Sequence, residues 1–206
     1  MRSIGEFFEL LYLRLKVALY NWKENRLIRR LCPAFTTIDK ALLTSPNPYR
    51  IPKAYPYGET PLSTLKAIAD RWQITSKDTL IELGCGRGRG SFFLAHYTGC
   101  KAKGIDWTPS FISHAQNTAK QFPHLPVSFS CGDMMKTDLS SATVIYLYGT
   151  CLNETDVESL SRKFKALPSS TKIITISYPL PGLVIQDQFV GSFPWGEADV
   201  YLNLIR

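Results

Sequence analysis

The chain has 206 residues, of which 45% are apolar and 20% are charged. This length excludes two large domains, and this balance excludes wholesale disorder, because burial of so many apolar side chains can offset the entropy lost on folding. The formal net charge is +7. Residues 1–56 hold 10 Lys and Arg against 4 Asp and Glu, whereas the remainder, with 14 against 13, is nearly neutral. We therefore expect a basic arm, residues 1–56, ahead of one domain, residues 57–206.

Cysteine and histidine usage predicts a reducing compartment and no metal site. The five cysteines are odd in number, and no two of them have the spacing of a structural metal site. The three histidines are scattered, and no pair is four residues apart, as two ligands on one helix face would be. We expect a cytoplasmic protein without a bound metal.

The arm begins with a helical pattern that has one wide apolar face. That face carries Ile4, Phe7, Phe8, Leu11, Leu15, Ala18, Leu19 and Trp22, and the basic residues Arg26, Arg29 and Arg30 follow it. Charged residues interrupt the apolar stretch, so the pattern fits neither a secretory signal nor a transmembrane helix. Two interpretations stay open: residues 4–30 make peripheral contact with a membrane surface, or the stripe packs on its own domain. No nucleic-acid recognition motif is present in the arm, so nucleic acid is not an expected partner.

The remaining elements alternate between strand and helix. After a proline-rich segment from Cys32 to Pro61, which we interpret as an ordered connection, the apolar spacing predicts helix 62–72, strand 79–83, helix 91–97, strand 102–105, helix 111–121, strand 127–130, strand 143–148, helix 154–167, strand 172–177 and strands 183–193 and 200–205. Such alternation predicts parallel strands joined by crossovers, with the ligand site at their carboxyl ends. The last two strands are predicted to form a hairpin around residues 194–197. The fold class is therefore α/β, a Rossmann-like, seven-stranded, mostly parallel sheet with a C-terminal antiparallel hairpin.

A glycine-rich segment, Glu82 to Gly90, directly follows the first predicted strand. Its glycines would let the backbone turn tightly and approach a ligand. A dinucleotide-binding loop would need glycine where this chain has Arg89, and no P-loop lysine is present. An acid at Glu82 would repel a pyrophosphate but attract an ammonium group, so the segment favours a cationic amino-acid nucleoside. The residues predicted to contact it are Glu82, Gly84, Cys85, Gly86 and Gly88.

Two further acids follow the next two predicted strands. Asp106 ends the second strand, where a carboxylate can accept hydrogen bonds from both ribose hydroxyls, and Trp107 beside it can cover an adenine. Asp133 follows the third strand, where it can accept from the adenine amino group while Met134 packs on the ring. The alternative for both aspartates is helix capping or turn chemistry.

The glycine segment and its three strand-end acids resemble the class I methyltransferase family, from about residue 57 to the end of the chain. The resemblance implies S-adenosylmethionine as the cofactor. A narrower resemblance concerns Tyr57-Gly58-Glu59-Thr60, which looks like the pre-loop motif of the non-SET histone lysine methyltransferases. The mitochondrial lysine methyltransferases of the ATP synthase c-subunit look similar in layout, with a hydrophobic N-terminal segment ahead of a similar core.

The narrower resemblance implies that Tyr57, Glu59 and Thr60 contact the methionine end of the cofactor. The chain departs from the histone enzymes after the fourth strand, where they have an asparagine-containing motif and this chain has Tyr148-Gly149-Thr150-Cys151. A histone substrate is therefore not implied. Base-amino, glutamine-amide and cytosine C5 methylation are also disfavoured, because their motifs are missing at that strand end.

The resulting hypothesis is N-methylation of lysine in a protein substrate. A lysine amine must be neutral before it attacks, and an aromatic channel would lower its pKa by desolvation. Tyr148, Tyr178 and Trp195 are the predicted walls of that channel, and Tyr148, which ends the fourth strand, is the candidate catalytic residue. Two alternatives remain: a small or lipid-like acceptor at a membrane surface, and a non-catalytic module that binds cofactor or nucleic acid.

Overall fold

The computed structural model describes residues 4–44 and 58–205, and for residues 4–10, 13 and 14 it describes the backbone alone. The helices are α1 (Ile4–Leu31), α2 (Phe35–Leu43), α3 (Leu62–Arg71), α4 (Arg89–Thr98), α5 (Pro109–Gln121) and α6 (Glu154–Phe164). The strands are β1 (Thr79–Leu83), β2 (Lys101–Asp106), β3 (Val127–Cys131), β4 (Val144–Leu147), β5 (Lys172–Ile176), β6 (Val184–Phe193) and β7 (Gly196–Leu204).

The strands form one seven-stranded sheet in the order β3-β2-β1-β4-β5-β7-β6. Strands β1 to β5 pair in parallel, whereas β7 runs antiparallel to both β5 and β6. The predicted fold class is thus confirmed. Strand order reverses between β1 and β4, and crevices at such reversals are where ligands bind in open α/β sheets.

Both faces of the sheet are covered, which explains why its central strands are almost wholly apolar. One hydrophobic core lies between the sheet and helices α2 to α5, and includes Phe35, Leu65 and Phe93. The other lies on the opposite face under α6, and includes Leu160 and Phe164. The sheet is therefore the middle layer of three, and it holds the carboxyl ends of β1 and β4 in fixed positions.

The structure differs most from the sequence-based prediction in two places. The proline-rich connection contains helix α2. No proline falls within residues 35–43, and Phe35, Ile38 and Leu42 form one buried face of this helix. The last hairpin is also tighter than predicted, because Gly196 and Glu197 already pair with Phe193 and Ser192. The turn is therefore limited to Pro194 and Trp195.

Helix α1 is attached to the domain by its C-terminal half. The Glu24 carboxylate accepts hydrogen bonds from the backbone N–H and the hydroxyl of Ser63, both at 2.6 Å. Since no side chain of its own caps α3, Glu24 supplies that helix with its N-terminal acceptor. Ile28, one turn later, is buried in the shared core.

The opposite side of α1 is an exposed apolar stripe, formed by Leu11, Tyr12, Leu15, Leu19 and Trp22. Leu19 and Ile28 are nine positions apart, which is two and a half helical turns, so the stripe faces away from the domain. The interpretation that the stripe packs on its own domain is wrong for these residues. In the part of the chain that the structure describes, no helix is both long and apolar enough to cross a membrane.

Candidate active site

A cavity of about 500 Å³ opens at the carboxyl ends of β1 and β4. Drug-sized ligands occupy pockets of about 300–1,000 Å³, so the cavity can take a ligand of nucleoside size. It lies where the strand order reverses, as the alternation of strands and helices predicted. Its lining comes from the segments that follow β1, β2, β3 and β4, together with residues 58–60.

The glycine-rich segment turns from β1 into α4 beneath this cavity. Gly84, Gly86 and Gly88 all have positive φ angles, which side-chain-bearing residues rarely adopt. The Glu82 side chain passes under the start of α4, where a Cβ on Gly90 would come within 2.5 Å of its Oε1. The Ser91 hydroxyl donates to Glu82 Oε2 at 2.5 Å. Gly90 thus leaves room for a carboxylate at the floor of the cavity.

Burial changes the acidity of this carboxylate. Glu82 is 7% exposed. Its pKa is raised to about 7 by desolvation, which is the largest cause, together with the charges of Glu59 and Asp106, while hydrogen bonds from Ser91 oppose the rise. Without a ligand, the carboxyl is therefore about half protonated near neutral pH. A cationic ligand group beside it would favour the charged form and lower the pKa again.

The carboxylate of Asp106 is held by the backbone on both sides. Its Oδ2 accepts from the N–H of Gly86 and its Oδ1 from the N–H of Thr108, both at 2.8 Å. The turn chemistry considered from the sequence is therefore present, and it fixes the carboxylate at the edge of the cavity. Trp107 lines the same edge and is 62% exposed.

Asp133 and Met134 border the cavity on the side of β3. Asp133 Oδ1 accepts from the N–H of Met135 at 2.8 Å, which again is a turn contact. Lys163 of α6 secures this turn from behind, because its ammonium donates to the carbonyls of Met134, Met135 and Thr137. The position of the predicted adenine-contacting residues is thus fixed by a cation of α6.

Residues 58–60 join the glycine-rich segment, residues 82–90, which we call the cofactor segment, to the end of β4. The Glu59 carboxylate pairs with Arg87, with Arg87 Nε at 2.6 Å and Nη2 at 2.8 Å from its two oxygens. The Thr60 hydroxyl shares a buried hydrogen bond with the Tyr146 hydroxyl. Gly58 lies against Tyr148, whose hydroxyl would be 3.0 Å from a Cβ at that position. The pre-loop motif therefore spans the distance between the cofactor segment and the candidate catalytic tyrosine.

Tyr148 lines the cavity, and the other two predicted walls support it from outside the lining. Trp195 Nε1 donates to the Tyr148 hydroxyl at 3.3 Å, and the Tyr178 hydroxyl donates to the carbonyl of Gly149 at 2.8 Å. Burial raises the pKa of Tyr148 and raises that of Tyr178 to about 12. Both phenols are therefore protonated at neutral pH, so neither is a base for proton removal.

Most of the predicted site residues meet in this one cavity. Its lining includes Glu59, Thr60, Glu82, Gly84, Cys85, Gly86, Asp106, Trp107, Asp133, Met134 and Tyr148. Gly88 is not part of the lining, and its lack of a side chain instead makes room for Phe129, whose ring would clash with a Cβ there. Tyr57 lies outside the described residues. Burial raises the pKa of Cys85 well above that of a free thiol, so this side chain is packed and unreactive.

Several lining residues were not predicted from the sequence. Arg89 and Asp156 carry charge, whereas Phe111, Met135 and Leu152 are apolar. In the sequence, Arg89 indicates only that the loop is not a dinucleotide-binding one. Asp156 lies in the first turn of α6, where an acid is expected for helix stability alone, so its pattern gave no separate signal.

Comparison with known proteins finds a matching family and a curated relative. The model of the ANTKMT methyltransferase domain matches residues 82–187, from the floor of the cavity into β6. A curated relative, phosphoethanolamine N-methyltransferase 3 of Arabidopsis thaliana, is 30% identical over 120 residues, or 57% of this chain. The match covers 24% of that relative, so the chain spans about a quarter of the length of the curated relative.

Solved structures share the fold. An RNA methyltransferase from Salinibacter ruber, in complex with S-adenosyl-L-homocysteine, has a TM-score of 0.62 at 23% identity and covers 72% of this chain and 95% of its own. TrmN from Thermus thermophilus has a TM-score of 0.60 at 15% identity, and the match covers 76% of this chain and 52% of the TrmN chain. The fold of this chain is therefore a known architecture.

Proposed function

The chain belongs to the ANTKMT methyltransferase domain family, within the class I S-adenosylmethionine-dependent methyltransferases, and from this premise we propose that it N-methylates lysine in a protein substrate. The observation that carries the proposal is the pre-loop motif. Glu59 is bonded to the cofactor segment, while Gly58 lies against Tyr148. The motif that resembles that of non-SET lysine methyltransferases thus contacts both the cofactor side and the acceptor side of one cavity.

The residues in the cavity fit the cofactor. Glu82 offers a buried acid for the ammonium group, Asp106 offers fixed acceptors for the ribose, and Met134 with Trp107 offers surfaces for the adenine. S-adenosylmethionine supplies a methyl group on a sulfonium, whose transfer to an amine leaves S-adenosylhomocysteine. The role of the protein is to align the amine with that methyl group and to exclude water.

The acceptor side of the cavity suits an amine that has lost its proton. Tyr148, Gly149, Thr150 and Leu152 are uncharged, and Tyr148 stays protonated because burial raises its pKa. A lysine side chain in this passage is desolvated, which lowers its pKa and favours the neutral form. Its nitrogen lone pair then forms the new N–C bond, and the remaining surplus proton leaves to solvent.

Transfer of label from tritiated S-adenosylmethionine into fractions of a cell extract tests the proposal. The intact chain is compared with Asp106→Ala, and with Asp138→Asn as a control outside the cavity. Label in protein that requires Asp106 supports a protein acceptor. Label confined to lipid or nucleic acid would overturn it, and no label in any fraction would leave a non-catalytic binding module.

Tyr148→Ala is expected to lower the rate of methyl transfer at least about 100-fold without changing the affinity for S-adenosylhomocysteine more than about twofold. Its ring is a wall of the acceptor passage, and misplacing a reactant by about 1 Å can cost this much rate. Tyr148→Phe keeps that wall and should retain most of the rate. Calorimetric titration and the tritium assay provide the two readouts, and equal losses for both variants would contradict a role for the ring.

A second candidate acceptor is a small or lipid-like amine at a membrane surface. The relative named phosphoethanolamine N-methyltransferase supports a small acceptor, and the exposed stripe of α1 supports the membrane surface. Arg26 lies over the Trp22 ring at 5.5 Å, so the aromatic side chain and a basic side chain share one face of the helix. Apolar and aromatic residues beside Lys and Arg are typical of helices that lie in the membrane interface.

Leu15→Glu is expected to weaken binding to vesicles that contain anionic lipid at least about tenfold, because burying a leucine contributes about 1.5–3 kcal/mol. Asn21→Glu is the matched control, since it adds the same charge at an exposed position away from the stripe. Co-sedimentation with vesicles measures both. Equal binding by the two variants would exclude the stripe as a membrane contact.

A further inference from the structure

Two arginines of the cofactor segment are each held by a carboxylate from an earlier part of the chain. Arg87 pairs with Glu59, and Arg89 pairs with Asp39 of α2, with Nε at 2.6 Å and Nη2 at 3.2 Å from the two aspartate oxygens. Arg89 Nη1 is also 3.9 Å from Glu59 Oε2. The arm, the pre-loop motif and the cofactor segment thus meet in one network of alternating charges.

These pairs are sheltered from solvent. The side chain of Arg89 is 13% exposed and that of Asp39 is 12% exposed. Removing one partner of such a pair leaves an uncompensated charge, so the position of each group depends strongly on the other. Asp39 therefore determines where the Arg89 guanidinium lies.

Arg89 lines the cavity, and Asp39 does not. Among the described lining residues Arg89 is the only cation, and the acids on the same lining are Glu59, Glu82, Asp106, Asp133 and Asp156. Glu82 accounts for a ligand ammonium, but a methionine end also carries a carboxylate. Asp39 engages Nε and Nη2 of Arg89, and the Nη1 contact with Glu59 is longer than a hydrogen bond, so Nη1 keeps donors for an anionic group.

We infer that Arg89 binds the carboxylate at the methionine end of the cofactor, and that Asp39 is the residue that positions it. Helix α2 of the arm is then a part of the cofactor site, although it lies outside the segment that matches the family model. The inference concerns cofactor binding and is independent of which acceptor is methylated. The packing of the arm on the domain and the binding of the cofactor are then energetically coupled.

Calorimetric titration of the full chain with two ligands tests this inference. S-adenosylhomocysteine carries the carboxylate, and its decarboxylated analogue keeps the amine but lacks the carboxylate. Asp39→Asn and Arg89→Met should each weaken binding of S-adenosylhomocysteine at least about tenfold, the loss expected for a hydrogen bond to a charged group. Both variants should bind the decarboxylated analogue within about threefold of the intact chain, with unchanged stoichiometry.

Asp187→Asn is the matched control. Asp187 also pairs with an arginine through both oxygens, at 2.7 and 2.8 Å from Arg71, but this pair lies on the surface away from the cavity. The Asp187→Asn substitution should leave the affinity for both ligands unchanged. If Asp39→Asn weakened binding of both ligands equally, or lowered the stoichiometry at unchanged affinity, Asp39 would have a purely structural role and the inference would be overturned. Unchanged affinity for both ligands would also overturn it.

Discussion

Glu82→Gln is expected to weaken binding of S-adenosylhomocysteine at least about 100-fold. Glu82 is the buried acid at the cavity floor, and replacing one partner of a buried ion pair costs about 3–5 kcal/mol. In the intact chain, the affinity should rise as pH increases from 5.5 and level off above about 7, because ligand binding requires the charged form of a carboxyl whose pKa is about 7. Calorimetric titration across this pH range measures both effects.

The same substitution should stabilise the ligand-free protein at high pH. The pKa of Glu82 is raised by folding from 4.5 to about 7, so its protonated form stabilises the fold below pH 4.5 and this stabilisation is lost as pH rises through about 7. The difference in unfolding free energy between Glu82→Gln and the intact chain should therefore be near zero at pH 4.5. It should reach a plateau on the order of 3 kcal/mol above pH 7.

Urea denaturation at several pH values, without ligand, provides the measurement. Glu158→Gln is the control, because Glu158 is an exposed glutamate in a weak pair with Arg162. Its difference from the intact chain should not depend on pH in this way. If the difference in unfolding free energy between Glu82→Gln and the intact chain did not change with pH, Glu82 would be charged throughout this pH range, and burial would not raise its pKa.

Asp106→Ala should also weaken binding of S-adenosylhomocysteine at least about 100-fold. The substitution removes the acceptors of the Gly86 and Thr108 N–H groups, so the cofactor segment loses its anchor together with its ribose-binding carboxylate. A loss of unfolding free energy on the order of 1–3 kcal/mol should accompany it, as expected for donors left without partners. Asp106→Asn keeps one acceptor oxygen and should lose less stability than Asp106→Ala.

Asp138→Asn separates the two effects. Asp138 holds a turn by accepting from the N–H and the hydroxyl of Ser140, at 2.9 and 3.0 Å, but it does not line the cavity. This variant should lose some stability and keep its affinity for S-adenosylhomocysteine. If Asp106→Ala lost stability alone, with unchanged affinity, the aspartate would be a turn residue and no more.

The fold was predictable because periodicity and glycine placement are local signals. Strand β1 reads as a short apolar run that enters a glycine segment, and the structure places that run at the centre of the sheet. The acids at the ends of β1 and β2 could be assigned to one site for the same reason, since neighbouring parallel strands end at one edge. These predictions depend on the residues directly after each strand and not on distant contacts.

The network around Arg89 was beyond such reasoning. Asp39 and Arg89 are 50 positions apart, and their pairing depends on how α2 packs beside α4. The exposure of the α1 stripe also depends on distant contacts, because Glu24 and Ile28 determine which side of the helix contacts the domain. The stripe itself fits either burial or exposure, and only the packing distinguishes them.

The central claim, methylation of lysine in protein, is tested most directly by identifying the modified amino acid. Protein labelled by the intact chain and tritiated S-adenosylmethionine is hydrolysed, and the labelled amino acid is separated by chromatography. We predict label in N-methylated lysine, and none when Asp106→Ala replaces the intact chain. Label in methylated arginine or histidine, or a labelled product that is not an amino acid, would contradict the claim.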